Sequence, residues 1–311
     1  MALTIRNDTT VPFGTVSPSN TALLSDLQPN ATQALEAFIK ASLTPGKFLL
    51  SPADLVAALS DKRSTRVVTI NMHHLSVYAH DAAFRACLNG ADFWCADGRP
   101  VVQALLNAGL TGVQRVTGAD LCNDLGRFGI IAGLEKVAIL GSTDAVVAAY
   151  RGRLAAAGRT VVFSDTGHRD QWTQGNLEDA LTAANPDVIL LAVGTPHGDF
   201  VTQRLTAFTN CPVIVVGAGL AMAVGAERRA PLLVQRVGLE WLWRLAGNPV
   251  RLWRRYALQV IPTLRPLNQA VARVAASHVA SSPAAVPALT GAGIPAPRQA
   301  QNEPAIPAVD A

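Results

Sequence analysis

Asp97 stands in the run Ala91-Asp92-Phe93-Trp94-Cys95-Ala96-Asp97-Gly98-Arg99-Pro100, where a short apolar segment ends in Asp-Gly before another helix. A carboxylate held at such a strand end can take a proton from an attacking hydroxyl within hydrogen-bond reach. The plainer reading is a helix cap. Upstream, Asn71 follows the apolar run Arg66–Ile70 and precedes His73 and His74. Its amide could orient a sugar hydroxyl, and either histidine could donate to a phosphate, although satisfying a nearby backbone group is the favoured reading for both. Arg115 lies just before Val116-Thr117-Gly118-Ala119-Asp120, the start of a helix whose N-terminal amides form a natural anion site. Its guanidinium matches diphosphate geometry, and a surface salt bridge is the alternative. His73, His168 and His197 show no HxH or HxxxH spacing, and the sequence contains no DxD. A site without a metal is therefore expected.

These residues need a scaffold. Short β-branched runs at Arg66–Ile70, Lys136–Leu140, Asp187–Val193 and Pro212–Val216 alternate with Ala/Leu-rich stretches at His74–Leu88, Asp144–Ala157 and Asp199–Phe208. That alternation predicts an α/β fold, a parallel sheet flanked by helices. In such sheets ligands gather beyond the carboxyl ends of the strands. The loops there include Leu140-Gly141-Ser142-Thr143, Val193-Gly194-Thr195-Pro196 and Val216-Gly217-Ala218-Gly219, whose small residues would expose backbone N–H groups. Glycine after a strand serves a tight turn as often as it serves a phosphate. No GxGxxG and no GxxxxGK[ST] is present, which argues against a dinucleotide dehydrogenase or a P-loop enzyme.

The chain has 311 residues, 50% apolar and 15% charged, enough for a real core and incompatible with disorder throughout. Cys87, Cys95, Cys122 and Cys211 have no CxxC spacing, so a reducing, cytosolic compartment is expected. The N-terminus lacks the pattern of a secretory signal. Leu205–Ala226 is uncharged but holds Asn210, Pro212 and three glycines, which fits a buried strand and tight loop better than a bilayer span. Positive charge gathers in residues 236–255, where Arg236, Arg244, Arg251, Arg254 and Arg255 face one acid, Glu240; the net +4 of that span equals the +4 of the whole chain. Trp241, Trp243 and Trp253 share it. Asn248-Pro249 splits it into two helices, with Arg251, Arg254 and Arg255 on one face by i, i+3, i+4 spacing. Arginine interleaved with tryptophan suits an anionic membrane surface or a lipid diphosphate. The alternative is a helix pair packed on the core with its arginines in water. No further basic field or motif points to nucleic acid. A second copy of the chain could help bury the apolar face of this segment. The expected organisation is a flexible tail over 1–30, an α/β core over 31–235, an Arg/Trp-rich appendage over 236–265 and a Pro/Ala-rich disordered tail over 275–311.

Taken in order, several of these motifs form a larger pattern. It runs from Thr69-x-Asn71 through Ala96-Asp97-Gly98-x-Pro100-Val101-Val102, Arg115-Val116-Thr117-Gly118-Ala119-Asp120-Leu121 and Leu140-Gly141. It ends with Gly194-x-Pro196, Arg229-Ala230-Pro231 and Gly238-Leu239-Glu240-Trp241-Leu242-x-Arg244-Leu245. The pattern resembles the WecG/TagA/CpsF glycosyltransferases, glycosyltransferase family 26, over about residues 47 to 260. The resemblance implies a Rossmann-like enzyme with a C-terminal helical membrane-associating appendage. It would be an inverting, metal-independent hexosyltransferase without a cofactor, moving a sugar from a UDP-sugar to a polyprenyl-diphosphate-linked sugar in exopolysaccharide or other cell-surface polysaccharide biosynthesis. The lipid carrier would be undecaprenyl diphosphate, and the protein would sit peripherally at the inner face of the cell membrane. Asp97 then falls on the general base, and Thr69 and Asn71 on the Thr-x-Asn motif. Arg244, Arg251 and Arg254 look like the arginines that hold the lipid diphosphate. Gly141, Gly194, His197, Gly217 and Arg115 complete the expected substrate site. Two stretches depart from the family: Pro196-His197-Gly198-Asp199 replaces the usual Pro-Lys-Gln-Glu, and Leu220-Ala221 the usual Phe-Asp. Both are expected in loops facing the donor, which makes a different sugar plausible. They also favour the rival reading of a non-catalytic nucleotide-sugar-binding subunit of an assembly complex; a nicotinamide-dependent enzyme has only the fold in its favour.

Overall fold

The computed structural model describes residues 30–60, 64–127, 133–167, 172, 174–231, 233, 234 and 238–281. Residues 1–29 of the expected N-terminal tail and most of the tail expected over 275–311 lie outside them, as do Arg236 and His168. Six described strands form one parallel sheet: β1 (Thr65–Ile70), β2 (Phe93–Ala96), β3 (Lys136–Gly141), β4 (Thr160–Asp165), β5 (Val188–Ala192) and β6 (Pro212–Val215), in the order β2-β1-β6-β5-β3-β4. β4 carries no strong alternation in the sequence because it is an edge strand, half-buried along most of its length.

Successive strand residues serve opposite faces, so each strand feeds two cores. Val68, Ile70, Trp94 and Ala96 pack on α1 (Ala31–Ser42), α3 (Met72–His80), α4 (Ala82–Asn89) and α5 (Arg99–Asn107). Val67, Cys95, Val137, Ile139, Leu190 and Ile214 point to the other face, beneath α2 (Pro52–Ser60), α6 (Gly118–Arg127), α7 (Asp144–Ala156) and α10 (Gly219–Ala223). Ala138, Leu140, Ile189 and Leu191 pack under α8 (Gln174–Ala184) and α9 (His197–Leu205). Local chemistry sets the helix starts. Ser51 Oγ accepts from Asp54 N–H at 3.2 Å while Asp54 accepts from Ser51 N–H at 3.0 Å, a reciprocal cap before Pro52. The single helix expected over His74–Leu88 is two, because Asp81 leaves helical backbone geometry and its carboxylate caps α4 through Phe84 N–H at 2.9 Å.

The C-terminal part follows as α11 (Glu240–Gly247), α12 (Pro249–Arg254), a π-wound segment (Arg255–Val260) and α13 (Ile261–Ser281). Helix α13 runs past the boundary at 275 that composition suggests for the tail. Its Leu267, Ala270, Val271 and Val274 are buried in the same core as Leu35 and Phe38 of α1. A helix packed this way is part of the fold, so Leu267→Ala should lower unfolding free energy by about 2–5 kcal/mol in a urea titration. A surface appendage would lose far less.

Candidate functional site

A cavity of about 520 Å³ opens at the carboxyl end of the sheet, walled by the residues that follow β1, β2, β3, β5 and β6 and roofed by α11 and the π segment. Asp97 enters it directly after β2, its N–H donating to Ile70 O at 2.7 Å, so the carboxylate is placed by the sheet itself. Gly98, at φ +99°, turns the chain from the strand into α5 in a conformation open to glycine. Asp97 also lines a small adjoining cleft that it shares with Glu240 and Arg244. That cleft is narrow because backbones touch there: a side chain on Gly118 would start 2.8 Å from Val216 O.

Burial pushes the Asp97 carboxyl up to about 6 from an ordinary 3.8, against the opposing pull of Arg244 and Arg115 and with a further push from Glu240. A carboxylate poised there is ionised at neutral pH yet basic enough to accept a proton from an attacking hydroxyl. Positive charge faces it from Arg99, Arg244 and Arg255, which line the same cavity together with the acids Glu227 and Glu240. Glu240 is held by Arg115 at 2.5 Å, an ion pair that ties α11 to the core. His73 Nε2–H donates to Gln259 Oε1 at 2.9 Å, and burial, helped by Arg255, pushes its imidazole down to about 4, leaving it neutral at pH 7.

Several of the predicted residues meet in this cavity: Asp97, Thr69, Asn71, Gly194, Gly217 and Arg244 all line it. Asn71 also caps α3, accepting from His73 N–H at 2.9 Å and His74 N–H at 3.3 Å. Four predicted residues are elsewhere. Arg115 pairs with Glu240 and, at 3.8 Å, with Asp120, outside the cavity wall. Gly141 supports the wall from behind, its Cα facing Ala192 and Val193, while its neighbour Ser142 lines the cavity. His197 is exposed and off the cavity, because helix α9 begins on it and turns Gly198 and Asp199 inward instead. Arg254 is exposed, with its guanidinium 5.5 Å over the Trp253 ring; the side chain of Arg251 lies outside the described residues. Arg255 takes the inward place expected of Arg254. Adjacent residues of a helix point about 100° apart, and π winding from Arg255 onward breaks the i, i+3, i+4 count.

The structure gives places in the cavity to residues that the sequence marked only as part of a cluster or a run. Trp241 and Tyr256, ring centroids 5.7 Å apart, line the cavity from the C-terminal segment, with Val260, Ile261 and Leu264 as an apolar margin. His74 is buried and reaches Thr195 Oγ1 with its Nε2 at 2.8 Å, a contact across 121 residues that no local motif reveals. Of the residues at which the sequence departs from the family, only Ala221 lines the cavity; Leu220, Gly198 and Asp199 are buried outside its wall. At Gly198 a side chain would start 2.6 Å from Val193 O, so glutamine has no room there.

Among the described residues no three His, Cys, Asp or Glu side chains come together as a metal set, and no helix is long and apolar enough to cross a membrane. The sequence matches the Glycosyl transferase WecG/TagA/CpsF family over residues 47–275. That span runs from the loop before α2 through the strand-end cavity into α13, so the match covers Asp97, both loops that follow β5 and β6, and the arginines that line the cavity. The chain belongs to the WecG/TagA/CpsF family of glycosyltransferases, which act in cell-surface polysaccharide biosynthesis.

Proposed function

We propose that this protein is an inverting, metal-independent hexosyltransferase that moves a sugar from a UDP-sugar to a sugar carried on undecaprenyl diphosphate. Asp97 takes the proton of the acceptor hydroxyl, whose oxygen attacks the anomeric carbon. The bond from that carbon to the diphosphate oxygen breaks, and UDP leaves with the electron pair. Arginines and backbone N–H groups at the strand ends stabilise the charge that develops on the diphosphate. The observation that carries this reading is Asp97 itself: a carboxylate raised to about 6 by burial, in a cavity that also receives Arg99, Arg244 and Arg255. Attachment to the inner face of the membrane is supported by the apolar side chains exposed on the C-terminal segment, among them Leu242, Trp243, Val250, Trp253 and Leu258.

The test is UDP release by the purified protein offered a panel of UDP-sugars and a short-chain polyprenyl-diphosphate-sugar acceptor, with and without EDTA. Release that needs both substrates and survives EDTA is the expected result. UDP-sugar binding with no release from any donor would favour the assembly-subunit reading, and release that EDTA abolishes would overturn the metal-independent mechanism.

A further inference from the structure

The loop after β5 gives the cavity Val193, Gly194 and Thr195, and of these Thr195 alone carries a hydrogen-bonding side chain. Its hydroxyl is held by a buried relay. Asn71 N–H donates to His74 Nδ1 at 3.3 Å, so the ring presents its proton from Nε2. That Nε2–H faces Thr195 Oγ1 at 2.8 Å and Asp199 Oδ1 at 3.4 Å. Asp199 is 1% exposed, and neither of its carboxylate oxygens has a hydrogen bond of good geometry. The Asp199 carboxyl faces the Nε2–H side of the ring from behind and orients it. Thr195 Oγ1 therefore accepts from His74, and its own O–H is left to donate.

We propose that Thr195 is a specificity-determining residue whose hydroxyl, set by the positioning residues His74 and Asp199, donates a hydrogen bond to a neutral oxygen of the donor's sugar. This rests on the glycosyl-transfer reading above. Electrostatics selects the neutral oxygen. The side chain buried behind this wall is the acid Asp199, and the loop itself brings no cationic side chain to set against a phosphate. Positive charge lies instead where Arg244 acts on Asp97 at the end of β2. The ends of β2 and β5 are separated by β1 and β6, three strand spacings or roughly 14 Å, which leaves room for the acceptor hydroxyl and a hexose between them. His197 is exposed off the cavity and Gly198 carries no side chain, so the polar side-chain contacts of this loop fall to Thr195.

The experiment compares wild type, Thr195→Val, Thr195→Ser and Asp199→Asn by calorimetric titration with UDP and with UDP-glucose, UDP-galactose, UDP-N-acetylglucosamine and UDP-glucuronic acid, thermal melting serving to confirm that each variant is folded. Thr195→Val is expected to weaken the best-bound UDP-sugar about tenfold while leaving UDP within about twofold. Thr195→Ser should restore binding, and Asp199→Asn should lose affinity in the same direction but less. Thr195→Val that binds the UDP-sugar as wild type does would overturn this inference and leave glycosyl transfer standing. Equal weakening of UDP and UDP-sugar would overturn it too, by placing the contact on the diphosphate. Wild-type protein that binds neither UDP nor any UDP-sugar would overturn both readings.

Discussion

Asp97→Asn is expected to lower kcat/KM by roughly 10²- to 10⁴-fold, the range for losing a positioned general base. The wild-type profile should rise with pH and level off above an apparent pKa near 6, the value to which burial brings this carboxyl, because only the ionised form can take the proton. The same shift has a consequence for stability. In the unfolded chain the group ionises near 3.8, so between about 4 and 6 the folded protein holds more proton than the unfolded one. Stability contributed by this group is therefore present at low pH and lost as pH rises through about 6. The two values limit the effect at neutral pH to roughly 3 kcal/mol. Asp97→Asn should thus melt at a higher temperature than wild type at pH 7.5 and at nearly the same temperature at pH 4. A variant that is inactive and also less stable at both pH values would point to a structural role for Asp97. Near-normal turnover in Asp97→Asn would end the general-base assignment outright.

The second large effect concerns the membrane. Leu242, Trp253 and Leu258 are exposed, Leu258 by 64%, and lie on the segment that also presents Arg254 stacked on Trp253. Burying such side chains in a lipid interface is worth on the order of 1–3 kcal/mol each when complete, and each 1.4 kcal/mol is tenfold in a partition constant. The triple variant Leu242→Glu, Trp253→Glu, Leu258→Glu should lose more than 100-fold in partitioning to anionic vesicles, read by sedimentation. Turnover on a long-chain lipid acceptor should fall with it, while turnover on a water-soluble short-chain acceptor stays within a few-fold of wild type. Full-strength sedimentation of the triple variant would remove this face from the membrane contact. Point substitutions isolate this face, whereas a truncation at Arg236 would also remove α13, whose Leu267 and Val274 fill the core against α1.

The two expectations differ in how much of their basis is local. Asp97 was legible because its setting is written in consecutive residues: an apolar strand, then Asp-Gly, then a proline-started helix. Asn71 was legible in the same way, and its capping of α3 shows that one side chain can shape a helix start and still face a cavity. The arginines of the C-terminal segment were only half legible. Composition located the cluster, but whether Arg254 or Arg255 faces inward depends on the change from α to π winding at Arg255, and helical spacing presumes that no such change occurs. Arg115 has the local setting of an anion ligand, yet it takes the alternative, a salt bridge, with Glu240 125 residues away.

The sequence by itself determined the alternation of strand and helix, hence a parallel sheet, hence a site at the carboxyl ends of the strands, because hydrophobic periodicity and turn chemistry act over neighbouring residues. It also carried the motifs by which the chain belongs to its family. Only the tertiary structure decided the strand order β2-β1-β6-β5-β3-β4 and with it which loops share one cavity. It placed His74 against Thr195 and the buried Asp199, and it made α13 a core helix. These are contacts between residues far apart in the chain, set by how whole helices pack on the sheet, and no local spacing encodes which of several apolar faces will meet.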